Sequence, residues 1–218
     1  MTTRARQTPL LLLAVLLCAM LGLAVSWPTM VLAEPLSGTI DQRSRQQVTA
    51  VFTEMRTALT TGNGAAALAQ LSRASIARLE AVRNAAKLGS AAPLAGFSPS
   101  EKLGVLGLRR HFTPADLRRL KTPDLLNRAI TARWVKPDML RTAELGPVAV
   151  SGNHASAPVL VDGKPSLARA EFLRESGQWR LDLARTTASA DTLLRVLIPL
   201  SGQSEESYLG HLLDHLRR

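Results

Sequence analysis

Apolar side chains recur at helical spacing at Val48, Val51, Phe52, Met55 and Leu59, which predicts an amphipathic helix over residues 46–60. Gly62-Asn63-Gly64 stops it, since glycine and asparagine accept the left-handed backbone that ends helices. A second helical stretch is predicted over 65–88, with Leu68, Leu71, Ile76, Leu79 and Val82 inward and a break near Ser72 to Ser75. The run GSAAPLAGF over 89–97 reads as a loop.

Helix starts then follow one another. Ser98-Pro99-Ser100-Glu101 offers a capping hydroxyl, a proline at the first helical position and a glutamate able to bond back across the turn. Thr113-Pro114-Ala115-Asp116 and Thr122-Pro123-Asp124 repeat the device, and Lys136-Pro137-Asp138 resembles it without the hydroxyl. Residues 98–141 should therefore be several short helices joined by abrupt turns.

From Ala143 the period changes to two. Strands are predicted over 143–150, 155–162, 166–175 and 178–184, separated by Gly152-Asn153, Gly163-Lys164 and Ser176-Gly177. Such short connections imply an antiparallel meander. With Ser176-Gly177 as the last turn, Phe172 faces Leu181 and Ala170 faces Leu183 on one apolar face with Trp179. Glu171 then opposes Asp182 on a wetter face, with Arg169 and Arg180 diagonal to them. Helical spacing returns over 191–200 and over 204–218, the latter with Leu209, Leu212, Leu213 and Leu216 in one stripe.

The amino terminus belongs to none of these patterns. Arg4 and Arg6 precede an almost wholly apolar run over 10–25, then Trp27-Pro28 and the small or modest residues Val31-Leu32-Ala33. This is the order of a secretory signal, with cleavage expected before Glu34. An uncleaved anchor is the alternative, and it also puts residues 34–218 across the membrane. Leu17 directly before Cys18 argues against a lipoprotein.

Removing residues 1–33 takes two of the 27 Lys/Arg and none of the 17 Asp/Glu, leaving 25 − 17 = +8. It also removes the only cysteine, so disulfide, thiol and Cys-metal chemistry are excluded afterwards. Ten Lys/Arg against four acids fall within 100–141, including Arg109-Arg110, Arg118-Arg119 and Lys121. That segment suits an anionic partner such as lipid headgroups, or is a solvated helix surface. Nucleic acid is not an expected partner of an exported chain with few aromatic residues.

The order of a long helix, a Gly-Asn-Gly stop, further helices and a meander ending in Gly177-Gln178-Trp179-Arg180-Leu181-Asp182-Leu183 resembles the nuclear transport factor 2-like (SnoaL-like, cystatin-related) superfamily over roughly residues 46–187. The resemblance implies a cone in which a bent sheet wraps helices around a pocket. Some members are isomerases or dehydratases, and many exported ones only bind or scaffold. The helical segment 98–141 departs from the pattern and would fill or lid the pocket. Fold alone does not carry an activity.

Among candidate residues, His111 ends the first of the short helices beside two arginines, where a base or a dipole-stabilised cation would fit. Trp134 is a core or lid anchor. Glu171 and Asp182 form either an acid/base pair or an ion-pair network with the arginines. His154 is a turn residue, and His211 and His215 lack a third metal ligand. The pocket residues expected are His111, Trp134, Glu171, Phe172, Trp179 and Asp182, with no catalytic motif, metal or cofactor.

The expected architecture is α+β: amino-terminal helices packed on a curved four-stranded antiparallel sheet, with a carboxy-terminal amphipathic helix. It divides into a signal peptide at 1–33, a linker at 34–45, the domain at 46–187 and a helical tail at 188–218. The expected role is a periplasmic or cell-envelope binding or assembly module without catalysis, holding an apolar or weakly anionic small molecule or lipid. A small pocket enzyme, an isomerase or hydrolase, is the first alternative. Docking on a protein partner, a second copy or a membrane through the last helix is the second.

Overall fold

The computed structural model describes residues 40–89, 94–131 and 137–215; the expected targeting segment and Trp134 lie outside them. Helix α1 (Ile40–Thr60) ends at Gly62, whose φ of 72° needs a residue without Cβ. Helices α2 (Gly64–Ala69) and α3 (Arg73–Lys87) realise the second helical stretch, and the break between them falls at residues 70–72. There the chain leaves the helix to form a parallel bridge, Leu71 to Leu181. The Ser72 N–H donates to the Leu181 carbonyl at 2.9 Å, and the Leu181 N–H donates to the Gln70 carbonyl at 2.8 Å.

The four short helices are present as α4 (Pro99–His111), α5 (Pro114–Arg119), α6 (Thr122–Thr131) and α7 (Pro137–Thr142). Ser98 and Glu101 form the full capping box, and the Thr113 hydroxyl accepts from the Asp116 N–H. Thr122 departs from its expected role. It lies inside α6, buried, and its hydroxyl donates to the Glu80 carboxylate on α3, while Asp124 accepts the Lys121 N–H instead.

The sheet is curled and antiparallel, in the order β1-β3-β4-β5, with β2 also on β3. The predicted first strand is split into β1 (Ala143–Leu145) and β2 (Ala149–Ser151) around Gly146-Pro147, and both halves pair with β3 (His154–Val161). Strand β4 (Lys164–Glu175) follows the turn Asp162-Gly163, one residue earlier than expected, with both residues left-handed as an Asp-Gly hairpin requires. Strand β5 (Gln178–Leu181) follows Ser176-Gly177 with Phe172 opposite Leu181, the predicted register.

The ladder stops at the pair of Phe172 with Leu181, so Ala170 and Leu183 do not pair, although Asp182 still lies opposite Glu171 and donates its N–H to the Glu171 carbonyl at 2.7 Å. The strand ends at Leu181, because Asp182 caps helix α8 (Leu183–Leu200) by accepting the Arg185 N–H at 3.3 Å. Helix α8 therefore begins eight residues before the predicted 191 and runs through the boundary expected at 187–188. Helix α9 (Glu205–His215) ends the described chain.

One hydrophobic cluster joins these elements. Met55 and Leu59 of α1, Leu103 and Leu108 of α4, Leu125 of α6, Phe172 and Trp179 of the sheet, Leu194 of α8 and Leu209 of α9 all belong to it. Full burial of each such side chain stabilises by roughly 1.5–3 kcal/mol. The helical segment expected to lid a pocket thus contributes directly to the core, and Leu103, Val105, Leu108 and Leu125 are fully buried.

Candidate functional site

The alternation of β4 separates the expected pocket residues. Phe172 and Trp179 share the inner face of the sheet, 1% and 2% exposed, packed in the core, with the Trp179 indole N–H lacking a hydrogen-bond partner. Glu171, next in sequence to Phe172, points to the opposite face. Asp182 is a helix cap, and His111 is the last residue of α4, where the helix dipole favours a cation. The structure thus joins Phe172 with Trp179, and Glu171 with Asp182, as two separate pairs.

The second pair belongs to a polar cluster built by the start of α8. Where β5 stops, α8 takes over the edge of β4: the Asp182 N–H donates to the Glu171 carbonyl at 2.7 Å, and the Glu171 N–H donates to the Thr186 hydroxyl at 3.1 Å. Arg169 lies 3.8 Å from the Glu171 carboxylate, and Arg185 lies 3.7 Å from that of Asp182. Burial pushes the Glu171 carboxyl above its ordinary value; Asp182 adds to the rise, while Arg169, Arg185 and His154 oppose it. The ion pairs run from Arg169 and Arg185, on the outer side of the sheet, whereas the expected Arg180 donates instead to the Gln178 side-chain oxygen.

Further along, α8 and β4 part. Between them and α9 opens a cavity of about 300 Å³ lined by Leu167, Leu193, Leu194, Leu197, Tyr208 and Leu212, with Thr186 and Ser189 among its few polar groups. Its volume is at the small end of ligand sites. The Tyr208 phenol is the only ionisable group on the wall. Of the expected pocket residues, the described His111, Glu171, Phe172, Trp179 and Asp182 do not line it. The signal for it lies in residues 193–200, LLRVLIPL, which are too apolar for a helix with a single buried stripe.

Of the other candidates, His154 is not the expected turn residue but the first residue of β3, with its Nδ1 buried and lacking a hydrogen-bond partner. His211 Nδ1 lies 2.8 Å from the Gln203 amide oxygen, and His211 and His215 are both exposed on α9. Among the described residues no cluster of His, Cys, Asp and Glu suits a metal ion. In the basic middle segment Arg109 donates to the Ala85 carbonyl at 3.1 Å, Arg110 pairs with Asp214, and Arg119 and Arg128 both reach Asp116. Much of its charge is thus used in joining helices. Leu209 and Leu213 of the last helix are buried against the domain, and no described helix is long and apolar enough to cross a membrane.

Neither a family model, nor a curated protein, nor a solved structure matches this chain.

Proposed function

We propose that the chain is an exported cell-envelope module of the nuclear transport factor 2-like kind that binds without catalysis, holding an apolar or weakly anionic small molecule. The observation that carries this reading is the apolar cavity between β4, α8 and α9. A cavity lined by leucines with a few hydroxyls holds an acyl chain or a small ring by burial and orients it by one or two hydrogen bonds. Arg169 and Arg185, on the neighbouring polar cluster, supply positive charge for a weakly anionic end.

The cone is supported by the curled sheet and by the single core that α1 shares with its inner face. Export is supported by the apolar run over 10–25 and the Val31-Leu32-Ala33 site. The enzyme alternative would take Glu171 as its base, since burial raises that carboxyl. Glu171 does not line the cavity, which favours binding over turnover.

The test is to incubate the purified protein with an envelope lipid extract, wash it, and identify retained molecules by mass spectrometry. A single class of apolar or monoanionic compound is expected, lost when Leu212→Trp fills the cavity. Retention of nothing, or retention indifferent to that substitution, refutes the reading.

A further inference from the structure

Helix α8 presents apolar side chains on two sides. Ala190, Leu194 and Ile198 face the core, while Leu193, Val196, Leu197 and Leu200, at the i, i+3, i+4, i+7 spacing of a second stripe, face outward. Of the six large apolar residues exposed among the described residues, these four and Leu167 of β4 make five, so the exposure is concentrated here. Val196 is 54% and Leu200 76% exposed, and neither lines the cavity.

The charges on this helix have one sign. Its exposed ionic residues are Arg185 and Arg195, whereas its single acid, Asp191, is buried and turned towards Ser100. Lys164 and Arg169 add exposed cations on β4, beside Leu167.

We propose that this face docks on the surface of an anionic lipid bilayer, with Leu193, Val196, Leu197, Leu200 and Leu167 inserted at the headgroup boundary and the arginines among the phosphates. The net charge of the face selects a membrane over a second copy of the chain. The five side chains expose on the order of 500 Å² of apolar surface, about the largest patch of an ordinary monomer. Arg169, Arg185, Arg195 and Lys164 outnumber Glu171 and Asp182 there, so packing two copies of the face together would oppose like charge. A bilayer asks for neither a large area nor a matched surface: it takes an apolar stripe flanked by cations lying in the interface plane. The proposal stands on the exposed stripe and does not require the cavity to hold a ligand.

The experiment uses the full chain carrying Cys18→Ser and Leu200→Cys, labelled at the introduced thiol with a polarity-sensitive dye. A second sample carries the label through Thr60→Cys, at the end of α1, as a control for general anchoring. Phosphatidylglycerol vesicles should shift the emission of the α8 label to the blue and leave the α1 label unchanged. Phosphatidylcholine vesicles should give little shift. Removal of Arg185 or Arg195 as glutamine should weaken the transition roughly fivefold each, and about 1 M salt should weaken it further. Val196→Asp should lower vesicle binding at least about tenfold. No shift with phosphatidylglycerol, or an equal shift with phosphatidylcholine, overturns the proposal. So does a shift that grows with protein concentration in the absence of vesicles, which would assign the face to a second copy.

Discussion

Asp191, on α8, accepts the main-chain N–H of Ser100 at 2.7 Å and so caps the start of α4 from 91 residues further along the chain. With Ser98 accepting from Glu101 and Glu101 accepting from Ser98 at 2.8 Å, the first turn of α4 has partners for groups that a helix start leaves open. Both Asp191 and Ser100 are buried, so water does not replace the bond. Asp191→Ala should destabilise by about 1–3 kcal/mol, read as a lower urea midpoint at unchanged slope. Asp191→Asn keeps an acceptor oxygen and should cost less. An unaltered midpoint in the alanine variant would show that the bond adds nothing.

Ser75 joins the other end of α8 to α3. Its hydroxyl accepts the Leu183 N–H at 2.9 Å and lies 2.7 Å from the Ser72 hydroxyl, in a site without solvent. Ser75→Ala leaves the Leu183 N–H unpaired and should cost about 1–3 kcal/mol. Faster hydrogen exchange at Leu183 and in the first turn of α8, with the rest of the sheet protected, is the expected local signature.

Gly64 is required by close approach. A Cβ there would lie 2.5 Å from the Pro123 carbonyl oxygen and 2.7 Å from the Asn127 side-chain oxygen, and the first is main chain that has little room to move. Gly64→Ala should therefore destabilise by about 1–3 kcal/mol, although alanine is the better helix former. A thermal midpoint equal to or above that of the parent would contradict the contact.

Two glutamates should give stability opposite pH dependences. Burial alone would raise the Glu101 carboxyl, but its bonds from Arg78 and Ser98 outweigh burial and hold it below the ordinary 4.5. Its stabilising contribution is present above 4.5 and is lost as pH falls through the lower folded value. Glu171 is raised, so the folded state holds the proton more tightly than the unfolded chain. Stability is then lost as pH rises from 4.5 through the raised folded value, and ionised Glu171 is a constant cost above it. Glu101→Gln should be less stable than the parent at neutral pH and converge with it in acid. Glu171→Gln should gain on the parent as pH rises through that window. Parallel pH profiles for both variants and the parent would contradict these assignments.

Helices α1 to α7, apart from the first six residues of α1, which fall in the expected linker, and the last hairpin register were legible because their signals are local: apolar spacing, Ser/Thr-Pro starts and left-handed turn residues lie within a few positions of one another. The register of Phe172 with Leu181 follows from Ser176-Gly177 alone. The end of β5 was not legible, since Asp182 reads equally as a strand residue or a cap, and its role depends on α8 lying along β4. Thr122 failed for a similar reason, as Glu80 approaches from another helix. The cavity escaped because it is formed where α8 leaves the edge of β4, a divergence that no spacing along the chain encodes. Phe172 and Trp179 read correctly as one apolar face, but alternation could not tell a filled interior from an open one.

The parallel bridge from Leu71 to Leu181 bears on how this chain acquires its structure. Residues 70–72 gain their main-chain partners only when a segment about 110 positions later is in place, so the first three helices cannot complete their packing as they emerge. A closure of that length slows folding far more than it weakens the folded state. Shortening the chain from the carboxy-terminal side should therefore leave the early helices without a framework, even where their own sequences are intact.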